Sequence, residues 1–199
     1  MPEDNEEQYE ASWRSLKPAS AFAVRELHSS FEKESTSADD LIDAYLFAKR
    51  NLAQSMQALL MSQLPSECPD FAELRARIQT EMKNRYADRI PEQFLRVLYG
   101  SKVHKILFMI LLQNLGKRVD SDRLRLATSD DVHTERRTRE LRELGLNITT
   151  SKEDGSQFYT LVDLEIDFSK VPELIEKVIK KSQTLSEAEK GELASRLAK

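Results

Sequence analysis

The sequence is poor in the residues that covalent and metal-bound scaffolds need, and its single cysteine is Cys68. One cysteine excludes an intramolecular disulfide framework and a zinc site built on several cysteines, and it suits a reducing compartment. Five glycines and six prolines are also too few for the many turns of a β-sandwich or β-barrel. These scarcities favour a helix-rich chain.

Long apolar runs are missing as well. The longest, Ile106–Leu112, is far shorter than the roughly 20 residues that a membrane-spanning helix needs. The first ten residues contain five acidic side chains and no basic one, without the apolar core of a secretory signal. We therefore expect a cytoplasmic protein that has no membrane partner.

Basic residues are absent from the same N-terminal stretch. The formal net charge of the chain is −4, and residues 1–10 alone contribute −5, so the remainder of the chain carries +1. Such a stretch cannot bury enough apolar surface to offset its ordering entropy. We interpret residues 1–18 as an acidic, poorly ordered tail, with a weak helix following over residues 19–32.

A long amphipathic helix is predicted next. Ser37 offers an N-cap hydroxyl, and the helix should end near Leu64, before a proline. Apolar residues recur within it at spacings of three and four. The stripe comprises Leu41, Ile42, Tyr45, Leu46, Phe47, Ala48, Leu52, Met56 and Leu59.

Two further helices are predicted over residues 70–87 and from Pro91 to Tyr99. We interpret residues 19–100 as a helical region for dimerisation or partner binding. Residues 167–199 predict a C-terminal helical hairpin, whose last helix opens with a capping box from Ser186 to Glu189. Two apolar-striped hairpins offer more surface than one small core requires, which favours a homodimer.

Residues 101–166 show a distinct order of elements. An apolar helix ends at Gly116, and a short strand and a small helix follow. The next helix, residues 133–144, stops at Gly145 and precedes two extended runs with a polar, glycine-containing tip between them.

This order resembles the winged helix-turn-helix superfamily, in particular the small winged helices of bacterial regulators and of restriction systems. The resemblance rests on VHKILFMILLQNLGKRVDSDRLRLATSDDVHTERRTRELRELGLNI, followed by FYTLVDL. The expected fold is mainly α: a winged helix-turn-helix with a small β-hairpin wing, flanked by the N-terminal helices and the C-terminal hairpin.

The helical periodicity of residues 133–144 separates a packed face from an exposed one. The packed face comprises Thr134, Thr138, Leu141 and Leu144. Arg136, Arg139 and Glu143 point the opposite way, and Glu140 falls on a flank. Arginines on the open side of this helix suit recognition of an anionic partner.

The resemblance implies that this helix enters the major groove of DNA. Arg136 and Arg139 would then read bases, because arginine can pair bidentately with guanine or clamp a phosphate. Ser151 and Lys152 at the wing tip would contact phosphate. The full set of candidate DNA-binding residues is Thr134, Arg136, Arg137, Arg139, Arg142, Lys117, Arg118, Arg123, Arg125, Ser151 and Lys152.

The local charge balance leaves another interpretation open. Between Ser101 and Ile166 eleven basic residues are matched by eleven acidic ones, whereas DNA-binding domains usually present a basic face. The helix is also compatible with a solvated surface stabilised by pairs such as Glu135–Arg139. Some winged helices bind proteins, so the fold alone does not decide the partner.

Catalytic motifs are scarce. Asp70 and the Glu81-Met82-Lys83 run match the acid and acid-x-lysine pattern of restriction nucleases, which holds magnesium at a sheet edge. Here the stretch has helical periodicity, which would place Asp70 and Glu81 about 16 Å apart. The three histidines fall in different elements, and no glycine-rich phosphate loop exists. We expect no cofactor, no metal and no enzymatic activity.

Three functions remain in view. The first is a non-catalytic, sequence-specific DNA-binding protein that regulates transcription as a dimer on double-stranded DNA. The second is a DNA-recognition or accessory subunit of a restriction or phage-defence system. The third is a winged-helix adaptor or assembly protein that binds another protein.

Overall fold

The computed structural model describes residues 3–128 and 133–197. Over these residues the chain is mainly helical with one three-stranded antiparallel sheet, which confirms the predicted fold class. The elements are α1 (Glu3–Glu32), α2 (Ala38–Ser62), α3 (Pro69–Tyr86), α4 (Lys102–Gln113), β1 (Val119–Asp120), α5 (Ser121–Ala127), α6 (Thr134–Glu143), β2 (Leu146–Glu153), β3 (Ser156–Ile166), α7 (Val171–Lys180) and α8 (Glu187–Ser195). Among the described residues, no helix has the length and apolar character to span a bilayer.

Contacts divide the chain into two compact units. One unit holds α1, α2 and the part of α5 from Asp122 onward, and the other holds the remaining helices and the sheet. These units do not follow the predicted boundaries at residues 18, 100 and 166. The difference arises because α3 packs against α4 and α7, and α5 groups with the first two helices.

The N-terminal segment is helical where a poorly ordered tail was expected. Residues 3–18 form the first half of α1, so the prediction is corrected there. Glu, Gln and Ala are good helix formers, and an ion pair of 2.5 Å joins Arg14 to Glu10 one turn away. Packing of α1 along α2 supplies the remaining support. Pro18 lies inside the helix and leaves the carbonyl of Arg14 without its helical donor.

Helix α2 begins at the predicted cap. The Ser37 hydroxyl accepts a hydrogen bond from the Asp40 backbone N–H at 3.1 Å. The two long helices are joined by the Ser20 hydroxyl, which donates to the Asn51 carbonyl at 3.0 Å. Only part of the predicted apolar stripe is buried. The exposed large apolar side chains of α1 and α2 are Phe22, Val24, Phe31, Ile42, Tyr45, Leu46, Phe47 and Met56.

The core of the second unit is built around α4. Leu107, Phe108 and Leu111 are fully buried there, as the uninterrupted apolar run predicts. The ring of Phe108 meets that of Phe71 on α3 with centroids 5.2 Å apart. Because α4 also contacts α6 and β3, it forms the platform on which α6 is held.

The sheet has the order β1-β3-β2, and the β2–β3 hairpin is longer than the two predicted runs. Its turn consists of Asp154 and Gly155, which both have positive φ, as a two-residue hairpin turn of the I′ kind requires. Ser151 and Lys152 therefore lie within β2, and the tip predicted for them is occupied by Asp154 and Gly155.

The predicted helix from Pro91 to Tyr99 is wrong. Only Glu92–Phe94 forms a single 3-10 turn, and the chain beyond it is irregular. Side chains of α3 replace the helical hydrogen bonds: Arg75 donates to the carbonyls of Val97 and Leu98 at 3.1 and 2.6 Å. Tertiary contacts of this kind are invisible to a local sequence pattern.

The C-terminal helices match the sequence closely. Helix α7 buries Leu174, Ile175, Val178 and Ile179, the four residues of its apolar face. Helix α8 opens with the predicted capping box, in which Ser186 and Glu189 exchange hydrogen bonds. These two helices contact each other, as expected for a helical hairpin.

Gly145 ends α6 and cannot accept a side chain without strain. Its φ is +92°, and a Cβ there would lie 2.7 Å from the Asp167 carbonyl oxygen. We expect Gly145→Ala to lower the free energy of unfolding by about 1–3 kcal/mol, measured by urea denaturation. Gly191→Ala is the matched control: Gly191 lies inside α8 with open space around it, so alanine should stabilise the protein by about 0.5–1 kcal/mol. Equal stabilisation by both changes would contradict the assignment.

Candidate nucleic-acid interface

Helix α6 packs by the face that its sequence predicts. Thr138 and Leu141 are fully buried, and Leu144 and Thr134 are exposed by only 1% and 2%. The Thr138 hydroxyl donates to the Thr134 carbonyl at 3.0 Å within the helix. Thr134 was predicted to contact DNA, and its burial corrects that prediction, because its side chain cannot reach a ligand in this conformation.

The opposite face of α6 is open to solvent. Arg136 and Arg139 are exposed there, and 56% of the Arg136 side chain is accessible. Both guanidinium groups are therefore accessible to a binding partner. Arg137 and Arg142 are half-buried, and each buries an Nε atom that has no hydrogen-bond partner among the described residues.

Arg142 faces a different part of the surface. It lines a cleft of about 450 Å³ between the end of α6 and the base of the hairpin. The cleft is also lined by Lys170 and by three acidic residues, Asp163, Glu165 and Asp167, so acidic side chains outnumber basic ones and make it a poor environment for a phosphate. Arg142 therefore lies in an acidic cleft, whereas Arg136 and Arg139 are exposed on the open face of α6.

Glu140 was assigned to a flank of α6, but the structure buries it. Only 5% of the residue is exposed, and its carboxylate accepts three hydrogen bonds from charged or aromatic donors. Arg136 Nε donates to Oε1 at 3.1 Å, while Arg137 Nη1 and His104 Nε2 donate to Oε2 at 2.9 and 2.8 Å. This group is named the Glu140 cluster. A histidine within an apolar run and arginines at the i−3 and i−4 positions were the sequence signals for it.

Burial disfavours the charged carboxylate of Glu140, but hydrogen bonds from Arg137 and His104 outweigh it and hold its pKa below the ordinary value. Burial also dominates at His104 and lowers the pKa of its imidazole, despite the nearby carboxylate. His104 is therefore neutral at pH 7. Because a carboxylate only accepts, Nε2 carries the proton and Nδ1 accepts from the Ser101 hydroxyl at 2.7 Å.

Ser101, His104 and Glu140 thus form a hydrogen-bonded row. A nucleophilic serine would require His104 to take up a proton and Glu140 to stabilise the resulting cation. The two arginines already neutralise Glu140, and burial disfavours the cation. The row is better suited to fixing α6 on α4 than to activating a hydroxyl.

A second polar group flanks this cluster. Burial and a hydrogen bond with Glu143 raise the pKa of Tyr99, whose ring centroid lies 5.6 Å from that of His104. Burial opposes ionisation of Glu143, but hydrogen bonds from Lys177 and Tyr99 lower its pKa overall. Lys177 Nζ lies 2.8 Å from the Glu143 carboxylate. Glu143 therefore ties α6 to α7, although the sequence predicted it to be exposed.

The hairpin contributes further candidate residues. Arg118 is fixed against it by an ion pair of 2.5 Å with Glu153 and by stacking over Phe158, 4.1 Å from the ring centroid. Lys117, Ser151 and Lys152 are exposed. Lys117 and Lys152 are therefore exposed cations, and Lys152 lies on the β2–β3 hairpin.

The last two predicted residues lie on α5, in the other unit. Arg123 is exposed, and Arg125 is half-buried with its guanidinium 3.5 Å from the Asp122 carboxylate. Both side chains retain solvent access.

The nuclease-like motif lies on a single helix. Asp70, Glu81 and Lys83 all belong to α3, and Lys83 pairs with Glu92 at 2.7 Å. Glu81 pairs with Arg85. Within residues 3–128 and 133–197, no group of histidine, cysteine, aspartate or glutamate side chains is arranged to hold a metal ion.

The lowered pKa of His104 predicts acid sensitivity. The unfolded chain takes up the proton near pH 6.5, before the folded chain does, so stability is present above that pH and is lost as the pH falls toward the folded pKa. The free energy of unfolding should drop between about pH 7.5 and pH 5.5, whereas Glu140 and Glu143 add losses only below about pH 4.5.

Urea denaturation at both pH values tests this prediction. His104→Gln, which can still donate to Glu140, should flatten the dependence. His28→Gln is the matched control, because 71% of the His28 side chain is exposed, and it should leave the dependence unchanged. A wild-type profile that is flat over this range would contradict the assignment of a neutral His104.

Comparison with known families gives one match. Residues 104–165 match the family described as the KpnI N-terminal domain, which is associated with a restriction enzyme. The match spans about a third of the chain and runs from α4 to β3. No curated protein and no solved structure is significantly similar to the chain.

Proposed function

We propose that residues 102–166 form a winged helix-turn-helix that binds double-stranded DNA, and that the protein is the DNA-recognition or accessory subunit of a restriction or phage-defence system. The observation that carries this proposal is the match of residues 104–165 with the KpnI N-terminal domain. The matched stretch includes α6, whose open face carries Arg136 and Arg139.

Burial of acidic groups makes α6 a better DNA ligand than the neutral charge count indicates. The Glu140 side chain is buried on the packed side of α6, and the Glu143 carboxylate is paired with Lys177. Neither carboxylate is therefore exposed on the face that would meet a phosphate. Arg136 and Arg139 are exposed with only Glu135 as an exposed acid on the same helix. With all three glutamates counted as charged, the four arginines of α6 leave the helix a net charge of +1 although the whole segment is neutral, and this favours contact with the DNA backbone.

The chain itself is proposed to act without catalysis, next to a nuclease supplied by another protein. The restriction association favours this function over a stand-alone transcriptional regulator acting as a dimer, which was the first expectation from the sequence. Gene neighbourhood separates the two, because an accessory subunit should be encoded beside a nuclease or methyltransferase. A neighbourhood of unrelated metabolic genes would count against the accessory role.

A protein-binding role is the second candidate. The observation that favours it is the set of exposed large apolar side chains on α1 and α2, among them Phe31 with 68% exposure. Exposed apolar groups at this density suit a contact with another protein chain. This role is compatible with DNA binding by residues 102–166, and a homodimer through α1 and α2 is one form of it.

Fluorescence anisotropy with a labelled duplex tests DNA binding directly. We expect binding at low salt that weakens steeply as salt rises, with a slope of log K against log salt close to the number of phosphate contacts. A random-sequence duplex and a pool selected for tight binding will separate non-specific from specific affinity. If the wild-type protein shows no salt-dependent binding to either duplex, the proposal fails.

A further inference from the structure

The buried acid on α6 calls for an explanation beyond packing. Glu140 faces α4, where an apolar residue of similar volume would avoid the cost of removing a carboxylate from water. The chain instead surrounds the carboxylate with His104 from α4 and two arginines from α6 itself. The Ser101 hydroxyl in turn fixes the orientation of the imidazole. Within this Glu140 cluster, the partners that α6 itself supplies to the carboxylate are Arg136 and Arg137.

The Glu140 cluster leaves most N–H donors of Arg136 and Arg137 without a partner in the described part of the chain. A guanidinium has five N–H groups, and Glu140 engages Nε of Arg136 and Nη1 of Arg137. The Nη groups of Arg136 have no partner among the described residues, and 56% of that side chain is exposed. Arg137 is exposed by 33%. The carboxylate thus restrains both side chains without covering their terminal nitrogens.

We propose that Glu140 is a positioning residue, whose buried carboxylate holds the guanidinium groups of Arg136 and Arg137 ready to bind DNA phosphates or guanine edges. This inference rests on the proposed DNA binding by α6. Its physical basis is preorganisation: a free arginine loses rotamer entropy when it binds, whereas an arginine already held by a carboxylate loses less.

Positioning and simple electrostatics predict opposite changes in DNA affinity when Glu140 is replaced by glutamine, so the direction of the change distinguishes them. Glu140→Gln removes a negative charge next to the binding face, so charge alone would tighten DNA binding. Positioning predicts that the same change weakens binding about tenfold, as expected when oriented arginine side chains become mobile. Glu135→Gln is the matched control, because it removes one charge from the exposed face of α6 and should bind equally well or tighter.

A measurement without DNA tests the positioning itself. In ¹⁵N NMR spectra of the free protein, the Nε–H signal of Arg136 should exchange slowly with water in the wild type, because that group donates to Glu140. The protection should fall in Glu140→Gln, because a neutral amide oxygen accepts more weakly than a carboxylate, and it should persist in Glu135→Gln. If protection is the same in the wild type and Glu140→Gln, the positioning role is overturned whatever the DNA affinity.

A double-mutant cycle distinguishes positioning from a merely structural role. Glu140→Gln should weaken binding in the wild-type background, but it should cause no weakening when Arg136 and Arg137 are both alanine, where the lost negative charge alone leaves binding equal or tighter. If Glu140→Gln does not fold, Glu140→Asp retracts the carboxylate without changing charge and should weaken binding in the same direction.

The failures have different signatures. A wild-type protein that ignores duplex DNA overturns the proposed function and the DNA role of Glu140 with it. A wild-type protein that binds, together with a folded Glu140→Gln that binds as well or better, overturns the positioning role alone. Weaker binding that is equal in both arginine backgrounds also overturns it, because the effect would then not pass through Arg136 and Arg137.

Discussion

Replacing Phe108 with alanine should lower the free energy of unfolding by about 3–5 kcal/mol, the range found for large-to-small changes in well-packed cores. Phe108 is fully buried in the middle of α4, and its ring packs at 34° to that of Phe71 on α3. Alanine would remove the buried ring and leave a cavity at the platform that also supports α6 and β3.

Urea denaturation followed by circular dichroism in the far ultraviolet, where the helical amide signal dominates, measures this loss. Phe31→Ala is the matched control, because Phe31 is 68% exposed and its removal should change stability by less than about 0.5 kcal/mol. Comparable losses for the two variants would show that α4 is not the centre of the core.

The double change Arg136→Ala/Arg139→Ala should weaken duplex binding about a hundredfold, since removing one base-reading arginine typically costs about 1–3 kcal/mol. Both residues lie on the exposed face of α6, and alanine is a good helix former, so the helix should persist. The Arg139 side chain is exposed, so its replacement leaves no cavity in the core. The slope of log K against log salt should also become shallower by about one for each phosphate that the variant no longer binds.

The control removes the same charge from another part of the chain. Arg25 on α1 and Arg50 on α2 are exposed, and Arg25→Ala/Arg50→Ala should keep wild-type affinity apart from a small general electrostatic effect. Equal losses of affinity in the two double variants would mean that binding depends on net charge and not on α6.

Local periodicity was sufficient to predict most helices and the orientation of α6. The spacing of Thr134, Thr138, Leu141 and Leu144 defines one face of a helix, and that face is buried. Ser37 and Ser186 cap the helices that follow them, because capping depends on residues only three positions apart. These features are contained within one or two turns of sequence.

Features that depend on distant residues were not predicted. Glu140 is buried because His104, 36 residues away in the chain, supplies a partner on α4. The segment after Phe94 is irregular because Arg75 and Gln79 of α3 bind its backbone groups. In each case tertiary contacts outweighed local composition.

The most direct test of DNA binding by residues 102–166 is NMR chemical-shift mapping of the full chain titrated with a short duplex. We expect the largest shifts in the backbone amides of α6 and in the β2–β3 hairpin around Lys152, together with the Nε–H signals of Arg136 and Arg139. Shifts confined to α1 and α2, or no shifts at low salt, would contradict the account.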